Sequence, residues 1–146
     1  MADDVSIGHD RRSTEPVASR QGPGRLLIGI YTVFAVAASA RATWQIATDF
    51  DAAPLAYSLS ALAGVIYLVA AIGIARRDGT SHAVAAISCA VELAGVLAVG
   101  AFSLVRPELF PEATVWSHFG EGYGYVPLIL PVLGLLWLRK VRRSTS

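Results

Sequence analysis

Charge is what this chain has least of. Only 16% of its 146 residues are Asp, Glu, Lys or Arg, and 54% are hydrophobic. A soluble domain carries about a quarter charged residues. The formal net charge of +1 leaves no overall field to recruit nucleic acid or an acidic partner. Cysteine is nearly missing. Cys89 is alone, which excludes an intramolecular disulfide and any thiol pair for metal binding or redox chemistry. Lysine occurs once, at Lys140, and every other basic residue is Arg. Catalytic signatures are missing as well. The chain has no phosphate-cradling Gly-rich loop with a Lys, no His-Glu-x-x-His and no nucleophile elbow. The sequence therefore implies no cofactor and no enzymatic activity.

What it has instead is long apolar runs. They cover about residues 26–47, 54–75, 81–105 and 121–138. At roughly 20 residues per crossing, the first three match a ~30 Å hydrocarbon core. The fourth is short. Pro127 to Leu138 amounts to roughly 18 Å of helix, so this crossing must recruit the Gly-rich residues before Pro127. Residues 1–24 mix acidic and basic side chains with Ser, Pro and Gly and read as a disordered cytoplasmic tail. They lack the apolar core of a secretory signal peptide, and the first run reads as a retained membrane helix. The expected fold is all-α: a polytopic membrane protein with a bundle of four transmembrane helices over 25–143 and an outer loop at 106–120.

Orientation follows from the basic residues. With both termini inside, the cytoplasmic side holds Arg11, Arg12, Arg20, Arg25, Arg76, Arg77, Arg139, Lys140, Arg142 and Arg143, and the outer side only Arg41 and Arg106. That bias sets both termini in the cytoplasm and the chain in the inner (cytoplasmic) membrane. Trp44, Tyr57, Trp116, Tyr123 and Tyr125 fall where an outer aromatic belt belongs, and Trp137 marks the inner one. Asp78-Gly79-Thr80-Ser81 reads as a tight turn followed by a helix cap.

Few residues stand out against this background. Glu92 lies near the middle of the third run, where a carboxylate costs several kcal/mol unless it is paired or protonated. It is either a proton- or cation-binding group or a structural carboxyl bonded to Ser, Tyr or Arg on a neighbouring helix. Arg41, in the outer half of the first run, either turns inward to meet Glu92 or snorkels to the headgroups near Asp49 and Asp51. Counting ~1.5 Å per residue from the cytoplasmic ends sets the two only about 5–8 Å apart in depth. Small residues recur four apart: Ala56, Ser60 and Gly64 in the second run, then Ala86, Ala90, Ala94 and Ala98 in the third. Such rows let helix backbones approach closely. They serve packing within the chain or against a partner.

The outer stretch from Thr114 to Pro127 is the most distinctive. It holds Trp116, His118, Glu121, Tyr123 and a Gly-Tyr-Gly-Tyr run. His118 and Glu121 are three apart and would share a helix face as metal ligands, but no further His or Cys stands nearby. The Gly-Tyr pattern is weighed against a pore loop and fails on the length of the helix after it. The plain reading is an interfacial half-helix over 113–119, then a Gly-permitted turn with an aromatic belt.

The segments Pro54-Leu55-Ala56-Tyr57-Ser58-Leu59-Ser60-Ala61-Leu62, Ser103 to Pro111 and Tyr125 to Trp137 resemble those of small four-helix integral membrane proteins widespread in actinobacteria. The resemblance covers roughly Arg25 to Arg143 and implies topology but no activity. Small multidrug transporters carry their working Glu in the first helix, whereas this one lies in the third. The expectation is a non-enzymatic accessory subunit, assembly or scaffold component. Its partners would be membrane lipids and either another membrane protein or a second copy. The alternative is a small proton- or ion-coupled transporter using Glu92 with Arg41.

Overall fold

Proline and aspartate set where the helices begin. The computed structural model describes residues 22–76, 78–144 and 146. Helix α1 spans Pro23–Asp49 and α2 spans Pro54–Ala75, each with Pro at its first position, where the missing N–H has no partner to lose. Helix α3, Gly79–Val105, starts behind Asp78, whose carboxylate accepts from the Ser81 backbone N–H at 2.8 Å. Helix α4 spans Val126–Ser144 and carries Pro131 inside it. Pro131 falls in the second turn, where it removes a single early hydrogen bond. Short 3-10 turns occupy Phe50–Ala52, Pro107–Leu109 and Ser117–Tyr123. Among the described residues there is no strand. The all-α expectation agrees with this. The tail expected over 1–24 mostly lies outside the described residues, as do Arg11, Arg12, Arg20 and Arg77 of the charge count; Pro23 and Gly24 already belong to α1.

Among the described residues three helices are long and apolar enough to cross a membrane: α1 with the turn that follows it, α2 and α3. α4, 19 residues long but charged over its last turns, qualifies only together with Ser117–Tyr123, which meets it at 98°. The apolar part of α4, residues 126–138, spans roughly 20 Å. By composition and length the chain is a membrane protein.

Each helix packs on the next in sequence, and α1 and α4 touch only slightly. α2 is the most enclosed of the three spanning candidates, with 50% of its apolar window buried against 28% for α1 and 33% for α3. α1 and α3 therefore present broad apolar faces outward.

The α1–α2 contact is close because both sides are small. Ala35, Ala38 and Ala42 of α1 and Ala56, Ser60, Ala63 and Gly64 of α2 are buried. A Cβ on Gly64 would lie 2.6 Å from Ser39 Oγ and 3.2 Å from its backbone N, so any side chain here must displace the Ser39 hydroxyl and crowd the α1 backbone. The row Ala56–Ser60–Gly64 is thus used inside the chain. The second row is not. Ala90, Ala94 and Ala98 are exposed on the outward face of α3, with Ala86 half-buried.

A buried polar network as the candidate functional site

The inner stripe of α3 runs Ala85, Ser88, Cys89, Glu92, Val96, Gly100 and Ser103, the i, i+3, i+4 spacing of one helix face. That stripe turns Glu92 into the bundle, where it is fully buried. Tyr31, also fully buried on the inner face of α1, donates its hydroxyl proton to Glu92 Oε2 at 2.7 Å. The same hydroxyl lies 3.4 Å from Cys89 Sγ. Either atom of that second contact can donate. Gly134 of α4 closes the site. A Cβ there would come within 2.9 Å of Cys89 Sγ and 3.5 Å of Tyr31 Oη. The other carboxyl oxygen, Glu92 Oε1, is buried without a hydrogen-bond partner.

Tyr67, fully buried on α2, stands beside Tyr31 with ring centroids 6.2 Å apart. Its hydroxyl accepts from the Trp116 indole N–H at 3.0 Å. Trp116 gets there through a compact turn. The Thr114 hydroxyl accepts from the backbone N–H of Trp116 at 3.0 Å and of Ser117 at 2.9 Å. The Ser117 hydroxyl in return accepts from the Thr114 N–H at 2.9 Å. This reciprocal Ser/Thr turn aims the indole down between α2 and α3, against Gly95, where a Cβ would lie 2.9 Å from the ring.

Trp116 is only 2% exposed, so it is not part of an outer aromatic belt. The expected interfacial half-helix over 113–119 does not form. His118, Phe119 and Gly120 instead take left-handed backbone with φ of 50°, 61° and 83°. The chain thereby folds back, driving Phe119 onto Gly100. The His118 N–H donates to Ser103 Oγ at 2.9 Å, and Ser103 donates to Gly100 O at 2.8 Å. The segment is a plug with two aromatic pegs.

Glu92 and Arg41 do not pair. The Arg41 guanidinium donates to the Tyr123 hydroxyl at 2.6 Å. Counting from helix ends treats α1 and α3 as starting level. The Tyr31–Glu92 bond instead sets the eighth residue after Pro23 against the thirteenth after Gly79. Arg41 lies ten residues beyond Tyr31, about 15 Å further toward the C-terminal end of α1 and on another face. The two residues sit at opposite ends of a file of rings. Tyr123 meets Phe34 at 6.0 Å, Phe34 meets Tyr67 at 5.8 Å, and Tyr67 meets Tyr31. His118 and Glu121 are both exposed, and the left-handed stretch removes the shared helix face their spacing suggested. Among the described residues no group of three His, Cys, Asp or Glu side chains is placed to hold a metal.

Tyr31, Tyr67 and Cys89 escape a sequence reading because Tyr and Cys are unremarkable in an apolar helix. The Thr114-x-x-Ser117 spacing was the available signal for the turn that inserts Trp116. No family model, curated protein or solved structure matches the chain.

Proposed function

We propose that the protein is a non-enzymatic integral membrane protein of the cytoplasmic membrane. In this reading it crosses four times as a helix bundle with both termini inside, in keeping with its resemblance to the small actinobacterial four-helix proteins. It serves as an accessory, assembly or scaffold component that packs against a transmembrane helix of another membrane protein. One observation carries this reading. Ala90, Ala94 and Ala98 form an exposed small-residue row on α3, flanked by exposed Ile87, Val91 and Leu97. Apolar burial does not drive helices together in lipid. Close packing does, and small residues four apart permit it. The equivalent row on α2 is already consumed by α1, whereas this one has no partner among the described residues.

The test is a gentle-detergent pull-down of tagged protein from its native membrane, with mass spectrometry of what accompanies it. A stoichiometric membrane partner that is lost on Ala94→Leu supports the reading. A self-associating chain makes the partner a second copy. A lone monomer insensitive to Ala94→Leu defeats it.

A second reading, a small proton- or ion-coupled transporter, is favoured by the unpartnered Glu92 Oε1. Here Glu92 works with Tyr31, and Arg41 belongs to the outer end of the aromatic file. Flux in vesicles abolished by Glu92→Gln, with the protein still folded, would select it over the first.

A further inference from the structure

The ends of α3 and α4 that carry the charged residues leave a trough between them of about 660 Å³. It exists because α3 contributes small side chains there, Gly79, Ala83 and Ala86, opposite Leu135 and Leu138 of α4. It is open on the membrane side, where Ile87 is 63% exposed. From Gly79 to Ile87 the trough runs about 12 Å along α3, most of one leaflet of a ~30 Å core. Its polar end is basic: Arg139 and Arg142, one turn apart on α4, both line it. Asp78 and His82 stand at the same end. Asp78 is the one carboxylate that lines this end against the two arginines, and its oxygens accept from the Ser81 backbone N–H and the Ser81 hydroxyl, each at 2.8 Å.

We infer that this trough is a binding site for one anionic phospholipid, with an acyl chain along Ala83, Ala86 and Leu135 and the phosphate between Arg139 and Arg142. The inference rests on the chain spanning a bilayer with the end of α4 at its surface, and needs neither the α3 partner nor a role for Glu92. Basic pockets between membrane helices hold anionic headgroups in this manner. The combination is what selects a lipid. Basic side chains alone would take any phosphate, and an apolar trough alone would take any acyl chain.

Native mass spectrometry of the purified full chain in detergent tests it, titrating phosphatidylglycerol against phosphatidylcholine of the same acyl composition. Phosphatidylglycerol is expected to remain bound with at least about tenfold preference. Arg139→Gln with Arg142→Gln should remove that preference. Ala86→Leu, which fills the trough without touching charge, should weaken phosphatidylglycerol by a similar factor. Lys140→Gln with Arg143→Gln, on the same turns but outside the trough, should change binding less than twofold. Two results overturn the site. One is equal loss from the Lys140/Arg143 pair, which would mean a diffuse basic collar. The other is unaltered binding in Ala86→Leu together with full competition by glycerol phosphate, which would mean a headgroup contact without a chain. Should the Arg139/Arg142 variant fail to fold, the Ala86→Leu and Lys140/Arg143 comparisons still decide the matter.

Discussion

Glu92 and Tyr31 hold one another across α1 and α3, and each would be left with an unmet polar atom by loss of the other. Interhelical hydrogen bonds of this kind contribute about 0.6–2 kcal/mol in membrane proteins. Tyr31→Phe is therefore expected to lower stability by that amount in a reversible micelle-unfolding titration. Glu92→Gln, which keeps an acceptor for the tyrosine, should stay within about 1 kcal/mol of the parent. A Tyr31→Phe variant as stable as the parent would show that the bond contributes nothing. His118 offers a change in the opposite direction. Its left-handed backbone costs about 1–2 kcal/mol for a residue with a Cβ, while glycine adds about 0.5–1 kcal/mol of unfolded-chain entropy. His118 is exposed and only its backbone N–H is bonded, so His118→Gly should raise the unfolding midpoint slightly. At this scale the sequence exposed the anomaly and not its partner. A carboxylate in an apolar run is visible by inspection, but the hydroxyl that meets it lies 61 positions away, and the stagger between α1 and α3 leaves no mark in either helix.

Among the elements, the two small-residue rows separate. Gly64→Leu forces a side chain into Ser39 and should prevent α1 from seating on α2, seen as aggregation or loss of the monodisperse peak in size-exclusion chromatography. Ala94→Leu adds its side chain to an outward face and should leave that peak and the unfolding midpoint unchanged. If Ala94→Leu proved equally disruptive, the α3 row would belong to the fold. Spacing alone showed both rows and could not tell them apart, because which face of a helix meets its neighbour is decided by rotation about its axis. The first turn of α3 responds to acid. The two bonds from Ser81, backbone first and hydroxyl second, hold the Asp78 carboxyl below the usual carboxylate range. A depressed folded value means the cap stabilises fully above the unfolded value and is lost as pH falls through the folded one. Amide exchange, corrected for its intrinsic pH dependence, should therefore show the start of α3 fraying below about pH 4 in the parent and at every pH in Asp78→Ala. Helices α1 to α3 were legible because twenty apolar residues read the same way in any context. The start of α4 was not, since Gly120 to Tyr125 fold by backbone conformation that no apolar count records.

For the whole molecule the first quantity to fix is orientation. In a Cys89→Ala background, Glu121→Cys should react with an impermeant maleimide on intact cells, and Ser144→Cys only after permeabilisation. The reverse pattern would invert the bundle. Which basic residues lie at which end was plain from the sequence. That the connection between α3 and α4 descends into the bundle was not, because Trp116 reads as an interfacial anchor until the Thr114–Ser117 turn is seen to aim it inward. That plug also orders events in time. Helices enter a membrane singly and associate afterwards. The seats for Trp116 and Phe119 are Gly95 and Gly100 on α3, the indole's hydrogen bond is to Tyr67 on α2, and Gly120 abuts Pro127 at the head of α4. No helix alone offers all of these. Trp116 can therefore seat fully only once α2 and α3 lie side by side, and its burial reports that those two helices have found each other.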